Sequence, residues 1–401
     1  MHVSKKIKLE LSARDATTLE FMQAKCRGLY NWWVMRLRDG ETWPGTLVAK
    51  KTLKESRKYD PELNYVYNKL LQKVFFRLGA AMDAFFRRCR NGEKPGFPRV
   101  RPRHCFFTLC YPGCYLKVEK GVLILPTGGH GKNKQYPDIR AKLTEEAPEA
   151  FGEVAISRDA RGDYYASFCH KRPECECESG EVVAFDLGVK TLAVGTNEQG
   201  RFYRINGFKS SRWYNRQLDK LRSKRSRCNK KSRRYKRLSK AYQRVSEKKR
   251  NKQRDSLHKA SKLISRKMVE RTVVVGDLSQ RQMVTREHHK KNRYRNRAVY
   301  NDWGLFTFIE MLTYKCQLYG KDLVILNEHN TSKMCSGCKH LQDMPLWRRT
   351  YKCPKCGLVM DRDENSAINI LTRYLARLGP HTGDPVRCAD VFTATNTFQY
   401  V

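Results

Sequence analysis

The sequence predicts a chain of two characters: an α+β N-terminal part, then an α/β part interrupted by a small four-cysteine ribbon. Three observations carry this. Residues 3–11, and several short runs between 105 and 170, alternate apolar and polar with the period of an antiparallel sheet or small barrel. Beyond residue 180 the strand-like runs become nearly continuous in apolar residues, at 181–185, 272–275 and 323–326, with long helical patterns between them. Finally, Cys335-x2-Cys338 and Cys353-x2-Cys356 are separated by 14 residues, and each turn aims two thiolates at one point, so that two turns complete a tetrahedron.

Length and charge bound the function classes. With 401 residues the chain has room for two or three domains, each with its own core. Lys and Arg total 81 against 40 Asp and Glu, and the resulting formal charge of +41 repels itself unless a polyanion neutralises it. Nucleic acid is favoured over an anionic membrane surface. No amphipathic anchor stands out, and no apolar run reaches the roughly 18 residues of a membrane span. The first residues, MHVSKKIKLELSARD, lack the apolar core of an export signal. Fifteen cysteines, mostly scattered, then suit free thiols in a reducing compartment. The expected location is the cytoplasm, at the nucleoid in a prokaryote, with no protein partner indicated.

Taken in order, residues 1–170 read as a nucleic-acid-binding region with a helical insertion over about 14–91. Ser12 or Asp15 is placed to cap a helix running to about residue 38, with Leu19, Met22, Cys26, Leu29, Tyr30 and Trp33 on one stripe. A second helical pattern covers about 61–89. Its aromatics are either core residues between the two helices or, with Arg and Lys interleaved, stacking surfaces for bases. NGEKPGFPRVRPR, residues 91–103, is either a plain connector or, through Lys94, Arg99 and Arg101, a phosphate contact. Residues 171–180 are the expected linker.

The second domain is expected over 181–378. It opens with a strand ending at Asp186, a returning strand, and a third at 201–206. Two long helical patterns fill 208–271, the first very basic. Lys224, Arg225, Lys230, Lys231, Arg233, Arg234, Lys236 and Arg237 have almost no acids to pair with at i,i+4, which favours a phosphate-facing surface over an ordinary solvated face. The strand at 272–275 ends in Gly276-Asp277-Leu278. A basic loop over 279–297, expected to be mobile, precedes a helix carrying Leu305, Phe308 and Leu312. The ribbon is expected over 331–360, the last helix over about 364–378, and a patternless, disordered tail over 379–401.

Strand, strand, strand, helix, strand, helix, strand, helix is the order of a ribonuclease-H-like sheet, and functional residues of α/β sheets gather at strand ends. Asp186 ends the first strand, Glu328 ends the last, and Asp363 lies in the first turn of the final helix. Converging, the three carboxylates would hold two Mg²⁺ or Mn²⁺ ions that activate water against a phosphodiester. Taken singly, Asp186 is an ordinary turn residue and Asp363 an ordinary cap. Hard oxygens suit magnesium, whereas Cys335, Cys338, Cys353 and Cys356 suit zinc, so the two ions need not compete. A redox pair is the other reading of those cysteines.

AFDLGVKTLAV around Asp186, YKCQLYGKDLVILNEHNTSKMCSGC over 314–338 and YKCPKCGLVMDRDENSAINIL over 351–371 resemble the TnpB family of transposon-encoded RNA-guided DNA nucleases, relatives of the type V CRISPR effectors and Fanzor proteins. KPGFPRV at 94–100 fits the same family, and the clear match covers about 182–375. The resemblance implies a RuvC-like, magnesium-dependent endodeoxyribonuclease with Asp186 and Asp363 as its first and last acids. Its implied partners are a guide RNA from the transposon end and double-stranded target DNA beside a short motif.

One departure matters. Most of the family has Glu before Asp at the strand end that here reads Gly276-Asp277. A subset supplies that carboxylate from the strand leading into the ribbon, where Glu328 stands, so the implied catalytic set is Asp186, Glu328 and Asp363. Asp277 is the less favoured substitute, because a one-residue shift along a strand turns a side chain to the other face. Two other functions stay open: a nuclease-silent RNA-guided repressor, and a DNA transposase of the same fold that needs no RNA.

Overall fold

The computed structural model describes residues 1–129, 134–177, 179–278, 283–284, 293–345 and 347–378, and the backbone of 397–400. It comprises two compact units, Met1–Arg172 and Pro173–Val401. Among the described residues, no helix is long and apolar enough to cross a membrane.

The first unit is built on its first strand. β1 (His2–Glu10) turns Ile7 and Leu9 into the core and the residues between them outward. Six more strands are β2 (Leu109–Pro112), β3 (Lys117–Glu119), β4 (Val122–Leu125), β5 (Ile139–Leu143), β6 (Glu153–Arg158) and β7 (Tyr164–Lys171). They form an antiparallel sheet in the order β2-β6-β7-β1-β5-β4-β3. Between β1 and β2 the chain inserts α1 (Ala13–Arg38), α2 (Thr46–Lys51), α3 (Leu53–Tyr59) and α4 (Asn68–Arg90). Ser12 caps α1, its hydroxyl accepting the Asp15 N–H at 3.1 Å. The expected stripe from Leu19 to Trp33 is buried throughout.

The second helix starts later than its periodicity implies. Pro61–Tyr65 is a separate 3₁₀ turn, and Val66 and Tyr67 are non-helical (ψ 136° and 122°), a break that carries Val66 into the core before α4 begins. Of the aromatics in that pattern, Phe75 is buried beside Trp33, whereas Phe76 and Phe86 are exposed.

The second unit contains a sheet in the order β12-β11-β8-β9-β10-β15. Its strands are β8 (Val182–Leu187), β9 (Ala193–Asn197), β10 (Phe202–Ile205), β11 (Thr272–Asp277), β12 (Asp322–Asn327) and β15 (Thr397–Tyr400). The first three form an antiparallel meander, and β11 and β12 run parallel to β8. The helices are α5 (Ser211–Ser226), α6 (Arg233–Lys262), α7 (Arg293–Arg297), α8 (Leu305–Leu318) and α9 (Arg362–Leu375).

Side-chain alternation divides the core. Val183, Phe185, Val273 and Val275 pack with Leu257 and Ala260 of α6 and Phe308 and Leu312 of α8. Val182, Ala184, Val274 and Leu326 pack with Ile370 and Leu371 of α9 on the other face.

Three further expectations change, all in this unit. The basic run is not one helix: α5 stops at Ser226, and the Ser232 hydroxyl, accepting the Tyr235 N–H at 3.1 Å, starts α6 afresh. Helical winding resumes at 293, so the polar loop ends earlier than expected. The mobility expected of 279–297 concerns mostly residues outside those described. The tail is not patternless throughout, since 397–400 pairs in parallel with β10. Thr-Phe-Gln-Tyr is rich in strand-favouring residues, and the rest of the tail lies outside the described residues.

Ile370 is fully buried between α9 and the sheet, whereas Val359 is 57% exposed. Ile370→Ala is expected to cost about 2–5 kcal/mol in urea unfolding, and Val359→Ala within about 0.5 kcal/mol of nothing.

Candidate active site

Strand parity decides which acids meet. On β8 the residues facing α9 are Val182 and Ala184, so Asp186 is next on that face. On β11 it is Val274, so Gly276 follows on the α9 side and Asp277 turns to the opposite one. On β12 it is Leu326, and Glu328 comes two residues later, just past the strand end. The parallel register sets Val275 opposite Phe185 and Gly276 opposite Leu326, so one more step brings Gly276 alongside Asp186.

Gly276 has no side chain because Glu328 is already there. A Cβ on Gly276 would lie 1.9 Å from Glu328 Oε2 and 2.9 Å from its Cδ. Position 276 does not have a positive φ, so the conflict with a side chain there is one of space, met at the Glu328 side chain, and not of torsion. The carboxylate of Glu328 thus occupies the volume into which a side chain at 276 would project.

The acids are under electrostatic stress. Burial, then the charges of Glu328 and Asp363, hold the Asp186 carboxyl well above the usual carboxylate range. Burial, then Asp277, push Glu328 up to about 7 against the opposing pull of Arg373. Glu328 Oε2 is buried and has no hydrogen-bond partner. Asp363 is 7% exposed and is met by the Arg349 and Arg362 guanidiniums, the latter at 3.3 Å. It is not the cap of α9. That role belongs to Asp361, whose Oδ1 accepts the N–H groups of Asp363 (2.8 Å) and Glu364 (3.4 Å). Among the described residues only the four cysteines bring three or more ligand atoms within 4.8 Å of one another, so the three carboxylates face one region without closing on a single point. Their hard oxygens and the orphaned Glu328 Oε2 are nonetheless the donor chemistry of a divalent cation.

The ribbon sits between these acids in sequence. Its strands β13 (Thr350–Lys352) and β14 (Val359–Asp361) pair antiparallel, and β14 runs directly into α9. The four cysteine sulfurs lie within 4.8 Å of one another, with Cys335 to Cys356 at 3.6 Å and Cys338 to Cys353 at 3.5 Å. Sulfurs bound tetrahedrally at about 2.3 Å from one metal ion lie about 3.8 Å apart, so the four fit such a site. Each Cys-x2-Cys turn closes alike: the Lys339 N–H reaches Cys335 O, and the Gly357 N–H reaches Cys353 O. The residue after each turn has a left-handed backbone, φ 61° at Lys339 and 75° at Gly357.

Residues that the sequence reading did not single out hold this arrangement. Asn365 donates to Met334 O and accepts the Ser336 N–H; Asn369 donates to Thr331 O and Met334 O. Arg373 donates to Asn327 O and His329 O. These three lie four residues apart on α9, one turn each, and together grip the backbone on both sides of Glu328 and into the first cysteine turn. The available signal was polar residues at helical spacing on a face expected to be buried. Arg349 reaches Asp363 because Thr350 pairs with Asp361 across the ribbon hairpin, a register that spacing alone does not reveal.

The basic candidates lie on separate surfaces. In the first unit, Lys94, Arg99 and Arg101 are exposed on a loop fastened by Asn31, which exchanges two hydrogen bonds with the Arg101 backbone. In the second unit, Lys224, Lys230, Lys231, Arg233, Arg234, Lys236 and Arg237 are exposed around the α5–α6 turn, and none forms an ion pair with a described acid. Arg225 instead stacks over Tyr242, 4.7 Å from the ring centre.

Residues 306–370 match a family model described as "Cas12f1-like, TNB domain", and residues 165–287 match OrfB_IS605, described as "Probable transposase". A Streptomyces pristinaespiralis protein named "Putative RNA-guided DNA endonuclease" is 32% identical over 238 residues, covering 58% of this chain and 55% of that protein. A Mycobacterium tuberculosis protein with the same description is 26% identical over 381 residues, 87% of this chain and 81% of its own length. A "TnpB-like protein" of Methanocaldococcus jannaschii is 31% identical over 122 residues, 30% of this chain and 42% of that one. The chain thus spans about half the length of the first of these relatives. Among solved structures, "Cryo-EM structure of the Cas12f1-sgRNA-target DNA complex" contains a chain of similar fold, with TM-score 0.59, 13% identity, and 92% of this chain and 98% of that one covered.

In magnesium-free buffer the raised Glu328 carboxyl is expected to make stability pH-dependent. Between its ordinary value of 4.5 and about 7, the folded chain holds a proton that the unfolded chain releases. Stability should therefore fall as pH rises through that window, by roughly 3 kcal/mol for a shift of this size. Asp186 adds in the same direction. Glu328→Gln should flatten the slope by one proton in denaturant titrations at stepped pH.

Proposed function

Because this chain belongs to the TnpB family, we propose that it is an RNA-guided DNA endonuclease that hydrolyses phosphodiesters at a RuvC-like site formed by Asp186, Glu328 and Asp363. The observation that carries this reading is the Glu328 carboxylate lying in the side-chain space of Gly276, on the α9 face of the sheet to which Asp186 also turns. It supports a site in which the third acid has moved from β11 to the end of β12 while its carboxylate stays in the same region. Magnesium or manganese ions held by these three residues would supply the Lewis acidity for attack on the phosphodiester. The chain's own contribution is to keep the ligand oxygens buried, to hold Glu328 by its gripped turn, and to neutralise Asp363 with Arg349 and Arg362.

A guide RNA derived from the transposon end pairs with the target, and the protein reads a short adjacent motif in the duplex. The loop carrying Lys94, Arg99 and Arg101 and the unpaired cations around the α5–α6 turn contribute phosphate contacts. Zinc on Cys335, Cys338, Cys353 and Cys356 would fix the ribbon between Glu328 and Asp363.

The test is magnesium-dependent cutting of a plasmid carrying the target and its adjacent motif, by chain loaded with guide RNA. Glu328→Gln should reduce cutting by more than about 100-fold and leave RNA binding intact, while Asp277→Asn stays near wild type. The swap Gly276→Glu with Glu328→Ala, which returns the carboxylate to β11, should recover cutting lost in Glu328→Ala alone. Normal cutting by Glu328→Gln, or its loss in Asp277→Asn alone, would contradict the assignment. A wild-type chain that binds guide and target but never cuts would be the silent repressor, and one that acts without RNA the transposase.

The ribbon is tested separately. Elemental analysis should find about one zinc per chain, lost in Cys335→Ala with Cys338→Ala, and that variant should also cut poorly while binding RNA.

A further inference from the structure

A cavity of 680 Å³ lies within the second unit, between α5, α6 and residues 296–301, away from the carboxylates described above. Its volume is that of a small-ligand site, but its lining is unlike an apolar pocket: Leu218 is its single aliphatic residue, and no carboxylate lines it. Four cations do: Arg222, Lys249, Arg250 and Arg297. Two acids behind the wall orient three of them. Asp219 accepts from Arg297 at 2.6 Å and lies 4.0 Å from Arg222, and Asp302 pairs with buried Lys249. Arg250 is exposed and pairs with no described acid.

The feature that points to a ligand is Asn296. It is 7% exposed and lines the cavity, and neither its Nδ2 nor its Oδ1 has a hydrogen-bond partner. Leaving a buried amide unpaired costs roughly 1–3 kcal/mol per group, a cost that a ligand offering an adjacent donor and acceptor would remove. Such a pair is what a nucleobase edge presents to Asn. Two aromatic rings complete the lining: Tyr242, backed by the Arg225 guanidinium, and Tyr300, 54% exposed. Bases splayed out of a strand stack on such rings and on guanidinium planes.

We propose that this cavity takes a single nucleotide turned out of its strand, with the base edge on Asn296 and the flanking phosphate on Arg222 and Arg250. The proposal rests on the reading of the chain as a nucleic-acid-binding protein, and it deepens that reading by naming a site. The shared chemistry is that of a nucleoside monophosphate, whether the strand is guide RNA or displaced DNA.

The probes are the four ribonucleoside and four deoxyribonucleoside 5′-monophosphates, with inorganic phosphate as reference, titrated calorimetrically into full-length chain stripped of bound nucleic acid. At least one monophosphate should bind at a single site more tightly than phosphate, and the ribo and deoxy arms identify the strand. Asn296→Leu and Arg250→Gln should each weaken that binding by about tenfold. Asn296→Leu should raise the thermal midpoint, because it removes an unpaired buried amide; Arg250 is exposed, so its variant keeps the fold. Monophosphates binding no better than phosphate, or binding Asn296→Leu like wild type, would overturn the proposal. Nucleotide binding here by a chain that cuts no DNA would sink the nuclease reading and leave this one standing.

Discussion

The space beside the Cα of Gly276 holds one carboxylate, and it comes from Glu328. Much else at the site follows from that constraint. A side chain at 276 would collide with Glu328, so the two positions are read as a pair: glycine on β11 and glutamate past β12. Glu328 lies beyond its strand, where the sheet's hydrogen bonds no longer fix the backbone. Its position must be set by something else. Asn365, Asn369 and Arg373 of α9 do this through hydrogen bonds to the 327–336 backbone, and the same helix carries Asp363 in its first turn. The second and third acids are thus held by one rigid element. The four clustered cysteines lie in the intervening segment, between Glu328 and Asp363.

This arrangement stores electrostatic strain. Asp186 and Glu328 are half-buried close to other acids, and each is displaced towards its neutral form. Burial of unpaired charge is destabilising, and the apolar contacts of Ile370 and Leu371 with Val182, Ala184, Val274 and Leu326 lie just beneath it. Arg349 and Arg362 pair with Asp363 and also pull on Asp186, and Arg373 pulls on Glu328, but neither pull overcomes the burial and the neighbouring acids. A site left short of positive charge on its other two acids is suited to an incoming cation.

The placement of the acids was legible in the sequence because strand parity is local information. Counting along β8 and β11 puts Asp186 and Gly276 on the α9 face and Asp277 on the other, and the structure has that parity. The cysteine turns were legible for the same reason. What escaped depends on pairing between distant residues or on packing. Arg349 reaches Asp363 through the ribbon register, Val66 breaks a helix to fill a core, and 397–400 joins a sheet through β10. Asn296 carries no sequence signal at all, since an asparagine beside basic residues looks like any loop until α5 and α6 close around it.

The central claim is that the third ligand is Glu328 and not a residue of β11. Anomalous-difference crystallography with Mn²⁺ bound to the chain tests it directly. The expected result is manganese ligated by oxygens of Asp186, Glu328 and Asp363, with Asp277 turned away on the opposite face. Manganese bound by Asp277, with Glu328 swung clear of Gly276, would contradict it.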